Sequence, residues 1–389
     1  MAGGGGGNTW IKQLVVGGAM LVAATGMHMA HMGNEWVMAA LLAAGGLLVV
    51  FASCDLMIQS VEGLASRLKW NQFVAGTMAG LASNVPEVVM LGFVIAAGAR
   101  VGFIVVMFTL HVGAMAFGAY SAILPRDDRG QARLPTPLVK LSTDLYACAG
   151  GIFLSWGILL MMLNLFVGEG ETGQGEEMTA AQLYAIAAAL IMVEVVAVRA
   201  LVKNFSASDG ETDGEQEGKA EPPATWGRIA ALGGGGVLLS VWGGHGVGDF
   251  AGILVEGLAS AGYSQMVGAL ILSIFAVVGP FIMIGTAHAK KKYDVALANA
   301  SGAVTQVPFV VLPIALVMIA AFAQTGVIPA LPHGGALHID LQTTSVVLLG
   351  FPPMLVLWKA IQDDGAVNWV ETATMIAIFS LTLFFLGSE

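Results

Sequence analysis

One glutamate inside an apolar stretch is the residue of this sequence best suited to chemistry. Glu87 lies well inside residues 71–98, a run of mostly apolar side chains. Within a lipid bilayer a carboxylate is costly unless it is paired, protonated or bound to a cation, so such acids mark ion or proton sites. The position of Glu87 therefore predicts a proton or cation site. The alternative interpretation is a protonated Glu87 that is hydrogen-bonded inside a helix bundle.

Two neighbours of Glu87 supply further oxygen atoms. Asn84 is three residues earlier, so on a helix its amide shares a face with the carboxylate. Pro86 has no backbone N–H and leaves a carbonyl oxygen of the preceding turn without its usual donor. Carboxylate, amide and carbonyl oxygens are the ligands of hard cations such as Ca²⁺ or Na⁺.

The second half of the chain has its own polar cluster in an apolar helix. Asn299, Ser301, Thr305 and Gln306 lie within residues 293–323. They are either ligands of the same kind or, because small residues surround them, hydrogen-bonded contacts between closely packed helices. The sequence leaves both interpretations open.

His111 lies in the middle of another apolar segment. An imidazole can exchange protons near neutral pH, although a lone helical histidine can equally be structural. The acids at the ends of the longest segments are interpreted as caps or structural pairs. These acids are Asp55, Glu62, Asp249 and Glu256.

Composition shows what kind of element holds these residues. The chain is 57% hydrophobic and 11% charged, whereas a soluble domain has about 25% charged residues. Its apolar runs are long enough to cross a bilayer, which predicts an all-α membrane protein of about eleven transmembrane helices. The segments are 11–31, 36–66, 71–98, 101–124, 138–166, 178–203, 228–260, 264–289, 293–323, 341–361 and 367–387.

Two of these segments, 36–66 and 228–260, are longer than a bilayer requires. They are expected to be tilted, or broken at Gly45-Gly46 and Gly243-Gly244.

The basic residues predict the orientation. Numbering the loops alternately places every Lys and Arg except Arg100 on one side. Positive charge is retained on the cytoplasmic side of short loops, so the N-terminus is predicted inside and the C-terminus on the opposite side. The alternative for the first segment, which follows Lys12, is a cleaved signal peptide.

An acidic stretch, residues 204–227, divides the chain. It reads as a cytoplasmic linker between a first repeat, 36–203, and a second, 228–389, with residues 1–35 as an N-terminal segment carrying an extra helix. Short connections elsewhere leave little room for an enzyme domain outside the membrane.

The two halves repeat each other. Val61–Ser66 recurs identically as Val255–Ser260, and the same offset of 194 residues places Pro86 opposite Pro280. Five predicted helices separate equivalent points, so the second copy enters the membrane from the opposite face. Inverted repeats of this kind are typical of secondary transporters, whose substrate site lies near the bilayer midplane.

These motifs resemble a known family. The run from Asp55 to Glu87, which ends in Ser83-Asn-Val-Pro-Glu87, resembles the first repeat of the Ca²⁺/cation antiporter superfamily. The stretch 301–314 is similar to the second-repeat segment of the calcium/proton exchangers. The resemblance implies an extra N-terminal helix followed by a 5+5 inverted repeat.

The resemblance also implies a site. The cation would lie near the midplane between Glu87 and Asn84 of the first repeat and Gln306 of the second. From their own chemistry, Ser83 and Asn299 are further candidate cation ligands, and His111 is a candidate beside Glu87 for coupling to protons.

The sequence departs from the family in the second repeat. Pro280 or Phe281 occupies the position of the family's second glutamate, and His111, Gly113 and Ala114 stand where Asn, Gly and Ser are expected. A lone carboxylate suits one-for-one exchange of a monovalent cation and a proton better than calcium binding.

The function expected is cation/proton antiport by alternating access, with Ca²⁺ or Na⁺ and H⁺ as transported ions. Alternatives are sodium/calcium exchange and a non-transporting scaffold subunit. No enzymatic activity, cofactor or nucleic acid is expected, and no Gly-rich phosphate-binding loop supports nucleotide-driven transport. The expected partners are the lipid bilayer, inorganic cations and either further copies of the chain or a partner subunit.

Overall fold

Helices make up nearly all of the chain. The computed structural model describes residues 9–30, 34–68, 70, 72–166, 177–205, 224–289, 291, 293–362 and 365–388. The helices are α1 (Thr9–Met29), α2 (Glu35–Leu68), α3 (Gln72–Ala97), α4 (Ala99–Ile123), α5 (Thr136–Phe166), α6 (Ala180–Phe205), α7 (Trp226–Ser260), α8 (Gln265–Ala289), α9 (Tyr293–Gln306), α10 (Leu312–Thr325), α11 (Leu341–Leu348), α12 (Phe351–Gln362) and α13 (Trp369–Ser388). A π-helical segment, Val307–Val311, joins α9 to α10. The strands are β1 (Ala132–Arg133), β2 (Glu177–Met178), β3 (Leu337–His338) and β4 (Ala366–Val367).

The expected all-α membrane fold is confirmed. Among the described residues, ten helical spans are long and apolar enough to cross a membrane. Two of them are composite: α9, the π-helical segment and α10 form one span, and α11 and α12 form another. Helix α8 corresponds to the remaining predicted segment, and its described apolar part is Gln265–Val278. The acidic linker falls largely outside the described residues.

The chain forms two compact units. Unit 1 contains Met1–Phe93 and Val195–Ile253, and unit 2 contains Val94–Glu194 and Leu254–Glu389. Each unit therefore takes segments from both predicted repeats. The repeat boundaries remain a prediction.

Glycines set the helix contacts of unit 1. A methyl group on Gly17 of α1 would lie 2.8 Å from the carbonyl oxygen of Gly45 of α2, and one on Gly46 would lie 2.9 Å from that of Gly243 of α7. Since α2 and α7 run unbroken through their glycine pairs, the alternative that they break there was wrong, and their tilt stays a prediction. These glycines allow close backbone approach, which is the main source of helix association in lipid.

Buried hydroxyl groups strengthen the α2–α7 contact. Ser53 Oγ lies 2.6 Å from the carbonyl oxygen of Gly236 and 2.7 Å from Ser240 Oγ, and both serines are fully buried. Farther along, Ser60 Oγ donates to the carbonyl oxygen of Ile229 at 2.9 Å. Glycine contacts and these bonds hold α2 and α7 side by side.

Helix α4 is the core of unit 2. Nearly every residue from Gly102 to Ser121 is buried, and α4 packs against α8, α9 and α13. A methyl group on Gly113 would lie 3.0 Å from the carbonyl oxygen of Ala303 of α9, so a larger residue would require the two backbones to separate by a few tenths of an ångström. The backbone of α4 thus lies directly against the helix that carries Gln306.

Two short strand pairs show which loops of unit 2 share a side. Strand β1, between α4 and α5, pairs with β4, between α12 and α13. Strand β2, between α5 and α6, pairs with β3, between α10 and α11. The alternation of basic residues had placed the loops of the first pair inside and those of the second pair outside, so both pairings are compatible with it.

One arginine connects the two loops that carry β1 and β4. Arg126 follows α4, and its guanidinium carbon lies 4.0 Å from the ring centroid of Trp369 at the start of α13. The guanidinium donates at 2.7–2.9 Å to the carbonyl oxygens of Gly130, Val367 and Ser121 and to Thr372 Oγ1.

We expect Arg126→Ala to lower the free energy of unfolding by about 2 kcal/mol, since charged hydrogen bonds are lost and their acceptors are left unpaired. Arg126→Lys should recover only part, because an ammonium group cannot bridge four acceptors in a fixed plane. Thermal unfolding in detergent measures both. Arg129→Ala, in the same loop but exposed, is the control; an equal loss in that variant would contradict the role of Arg126.

The orientation can be tested on these loops. We expect Asp128→Cys, between α4 and α5, to resist a membrane-impermeant thiol reagent applied to intact cells. His333→Cys, between α10 and α11, should react, because both positions are exposed but lie on opposite predicted sides. Labelling of residue 128 but not of residue 333 would reverse the orientation.

Candidate functional site

Glu87 lies on α3 in unit 1. Its side chain is half-buried, and within the described part of the chain its carboxylate makes no hydrogen bond or salt bridge. Asn84, one turn earlier, is 7% exposed. The structure therefore places an amide one turn from a carboxylate that no positively charged side chain of the described ranges balances.

Ser83 is next to this pair and touches α2. Its hydroxyl donates to the carbonyl oxygen of Gly80 at 2.7 Å, and its own carbonyl oxygen lies 3.6 Å from Cys54 Sγ. The hydroxyl oxygen keeps lone pairs for a cation. Helix α3 continues through Pro86, which is buried. The proline therefore removes one backbone N–H donor without ending the helix.

The second-repeat residues lie in unit 2. Asn299 donates its amide Nδ2 to the carbonyl oxygen of Val295 at 2.8 Å, so this donor is used within its own helix. Gln306 is the last residue of α9 and is half-buried. The π-helical segment begins at the next residue, and π-helical turns occur frequently at functional sites.

Ser301 joins α9 to α5. Its hydroxyl lies 2.7 Å from Ser142 Oγ and 2.9 Å from Tyr146 Oη, and all three side chains are buried. Thr305 donates to the carbonyl oxygen of Ser301 at 3.2 Å. For Ser301 and Thr305 the contacts are those of helix packing.

His111 is buried in α4. It is 1% exposed, and neither ring nitrogen meets full hydrogen-bond geometry with a described residue, although the backbone of Val346 lies near enough to interact with the ring. A buried imidazole that is only weakly bonded is uncommon and suggests a role beyond packing.

The second-repeat counterpart of Glu87 carries no charge. Pro280 and Phe281 lie within α8 and both are half-buried. No Asp or Glu occurs anywhere in Gln265–Ala289. The sequence departure from the family is thus a property of the whole helix.

The predicted site residues fall into two sets. Ser83, Asn84 and Glu87 are brought together on one helix of unit 1, whereas Asn299, Gln306 and His111 belong to unit 2. A cation shared by the two sets remains a prediction.

Sequence reasoning missed two groups. Glu194 is a half-buried acid inside the apolar helix α6, and its presence in that run was the available signal. His245 lies four residues before Asp249 on α7, and its Nδ1 is 3.2 Å from Asp249 Oδ2. This agrees with the interpretation of Asp249 as a paired acid, and the spacing of one helical turn could have revealed the partner.

Comparison with known proteins supports the resemblance. Residues 232–387 match the family model described as sodium/calcium exchanger protein. No curated protein sequence matches the chain.

Solved structures extend the likeness to nearly the whole fold. The structure of native YfkE has a TM-score of 0.61 at 14% identity, covering 98% of this chain and 100% of that chain. An H⁺/Ca²⁺ exchanger, CAX, has a TM-score of 0.62 at 11% identity, covering 97% and 91%. The sodium-calcium exchanger NCX_Mj has a TM-score of 0.51 at 13% identity, covering 88% and 98%.

The family model and the folds point to the same group that the motifs around Glu87 and Ser301 indicated. The resemblance of this chain to the Ca²⁺/cation antiporter superfamily is therefore confirmed.

Proposed function

We propose that the chain is a cation/proton antiporter in which Glu87 binds the cation and the proton in turn. The observation that carries this proposal is the carboxylate of Glu87, which has no hydrogen-bond or ion-pair partner among the described residues and lies on a membrane-spanning helix. In the bilayer that group needs a proton or a cation as its counter-charge. Because it can hold one or the other, binding of either displaces the other.

The ligand set favours a weakly charged site. Glu87 supplies one negative charge, and Asn84, Ser83, Gln306 and Asn299 supply neutral oxygens in this proposal. Desolvating a divalent ion requires more negative charge than one carboxylate offers, and α8 has no acid to add. Glu87 by itself would exchange one monovalent cation for one proton, and a second proton carrier would raise the number of protons per cation.

The predicted inverted repeat would provide a route for alternating access. In an inverted repeat the two halves present equivalent helices from opposite faces, so a central site can open to either side in turn. The fold shared with the H⁺/Ca²⁺ exchanger CAX supports proton-coupled cation exchange as the activity of the present chain.

Sodium/calcium exchange is the second candidate. It is supported by the match of residues 232–387 to the sodium/calcium exchanger model and by the fold shared with NCX_Mj. A non-transporting scaffold is the remaining reading, since the second acid of the family is missing from α8.

We expect Glu87→Gln to abolish proton-driven cation flux, because the amide can neither release a proton nor balance a cation. The assay is flux of Na⁺ and of Ca²⁺ into proteoliposomes under an imposed pH gradient. Glu87→Asp should retain part of the flux, since the charge is kept but the carboxylate is withdrawn by one methylene group.

Glu194→Gln is the matched control. It removes the same charge from another membrane helix, α6, and should leave the flux near the wild-type rate. Wild-type liposomes that move neither ion under a pH gradient would favour the scaffold. Ca²⁺ uptake driven by a Na⁺ gradient at constant pH would favour sodium/calcium exchange.

His111 is proposed as a second proton carrier. We expect His111→Asn to reduce the number of protons moved per cation without abolishing exchange, because Glu87 is still present. The ratio is obtained from the membrane potential at which net flux reverses. Thr109→Val, which removes a buried hydroxyl bonded to its own helix at Val105, should leave the ratio unchanged. A wild-type ratio in His111→Asn would assign His111 to structure.

A further inference from the structure

A polar pair stands exposed on a membrane-spanning helix of unit 1. His245 and Asp249 of α7 lie one turn apart, with Nδ1 and Oδ2 3.2 Å from each other. Their side chains are 63% and 53% exposed. Ionisable side chains in membrane helices rarely face lipid and almost always face the bundle interior or a water-filled cavity.

The imidazole is held in place by α3. Its ring stacks on Phe93 with 5.4 Å between ring centroids and 19° between planes. Close approach of the helices sets this stack: a methyl group on Gly244 would lie 3.1 Å from Met90 Cα, and one on Gly248 would lie 2.6 Å from Phe93 Cβ. Close packing of the α3 and α7 backbones therefore fixes the position of His245.

The pair lies farther toward the end of α3 than Glu87 does. Phe93 follows Glu87 by six residues on α3, a rise of about 9 Å. It precedes the last residue of α3, Ala97, by four. The pair thus lies between Glu87 and the end of α3 that the basic residues predict to be outside.

Apart from the pair, the described atoms nearest the glycines of this turn of α7 belong to apolar residues. A methyl group on these glycines would meet side-chain atoms of Leu21 of α1, Val49 of α2 and Phe93 of α3, and the backbone of Met90. Among these described contacts, Asp249 is the one ionisable partner of His245. On α7 the next acid is Glu256, two turns farther along the helix.

We propose that His245 and Asp249 form a proton-loading station on the outer approach to Glu87. The proposal rests on the proposed cation/proton exchange and adds the group that supplies the proton. The imidazole takes a proton from hydronium, leaving water, and Nδ1–H donates to the Asp249 carboxylate, which stabilises the imidazolium. The imidazolium then releases its proton from Nε2 to water and returns to the neutral imidazole. The hydronium formed protonates the Glu87 carboxylate, which frees the cation.

Water access is tested first, without any need for transport. His245→Cys in liposomes should gain one adduct from a charged, membrane-impermeant thiol reagent, detected by intact mass. The matched control is Val22→Cys, near the middle of membrane helix α1 and 65% exposed; it should gain none, since an exposed apolar side chain in the middle of a membrane helix faces lipid. A His245→Cys protein that resists the reagent would overturn the proposal, because the pair would then face lipid.

The second test measures the pH dependence of flux. In His245→Asn the rate at neutral outer pH should fall roughly tenfold and approach the wild-type rate as the outer solution is acidified, because hydronium then protonates Glu87 directly. Asp249→Asn should show a smaller loss of the same shape. A uniform loss at every pH, or an unchanged profile, would overturn the station while leaving the exchange proposal intact. Absence of proton-driven flux in the wild-type protein would overturn both.

Discussion

A carboxylate inside a lipid bilayer needs a counter-charge, and this requirement organises the first half of the molecule. Glu87 has no cationic side chain against it in the described structure, and the buried amide of Asn84 beside it is neutral. A glutamine at position 87 would have a similar size and need no counter-charge. The acid therefore gives this helix a chemistry that its packing does not require.

Around this helix, stability comes from short backbone distances rather than from hydrophobic burial, since lipid tails are as apolar as the side chains they replace. The contacts of Gly17 with Gly45 and of Gly46 with Gly243 show how unit 1 meets this condition. In unit 2 the contact between Gly113 and Ala303 has the same character. Buried hydroxyl pairs, such as Ser53 with Ser240, then add direction to these contacts.

The sequence predicted what depends on local composition. Apolar runs located the membrane helices, and the Lys and Arg pattern ordered the loops, because both signals are contained in stretches of some twenty residues. It misjudged the glycine pairs at positions 45–46 and 243–244, since a glycine that ends a helix and one that lets two helices touch look alike along the chain.

Other features depend on distant parts of the chain and had no local signal. The acceptors of Arg126 include Val367 and Thr372, more than 200 positions later, and the ring that holds His245 belongs to α3. Of the candidate site, the Ser83–Glu87 set was predictable because it lies on one helix. The use of Ser301 in binding Ser142 and Tyr146 was not, because nothing in the sequence of α9 states which helix lies opposite.

The π-helical segment Val307–Val311 bears on the ancestry of the two halves. A π turn accommodates one residue more than an α turn over the same length, and α4 is α-helical throughout. The offset that pairs His111 with Thr305 should therefore hold before the segment and grow by one residue after it. Such a step is the trace expected of one residue inserted into the second of the two predicted repeats, and the π turn takes up that residue so that later side chains of the span keep their faces.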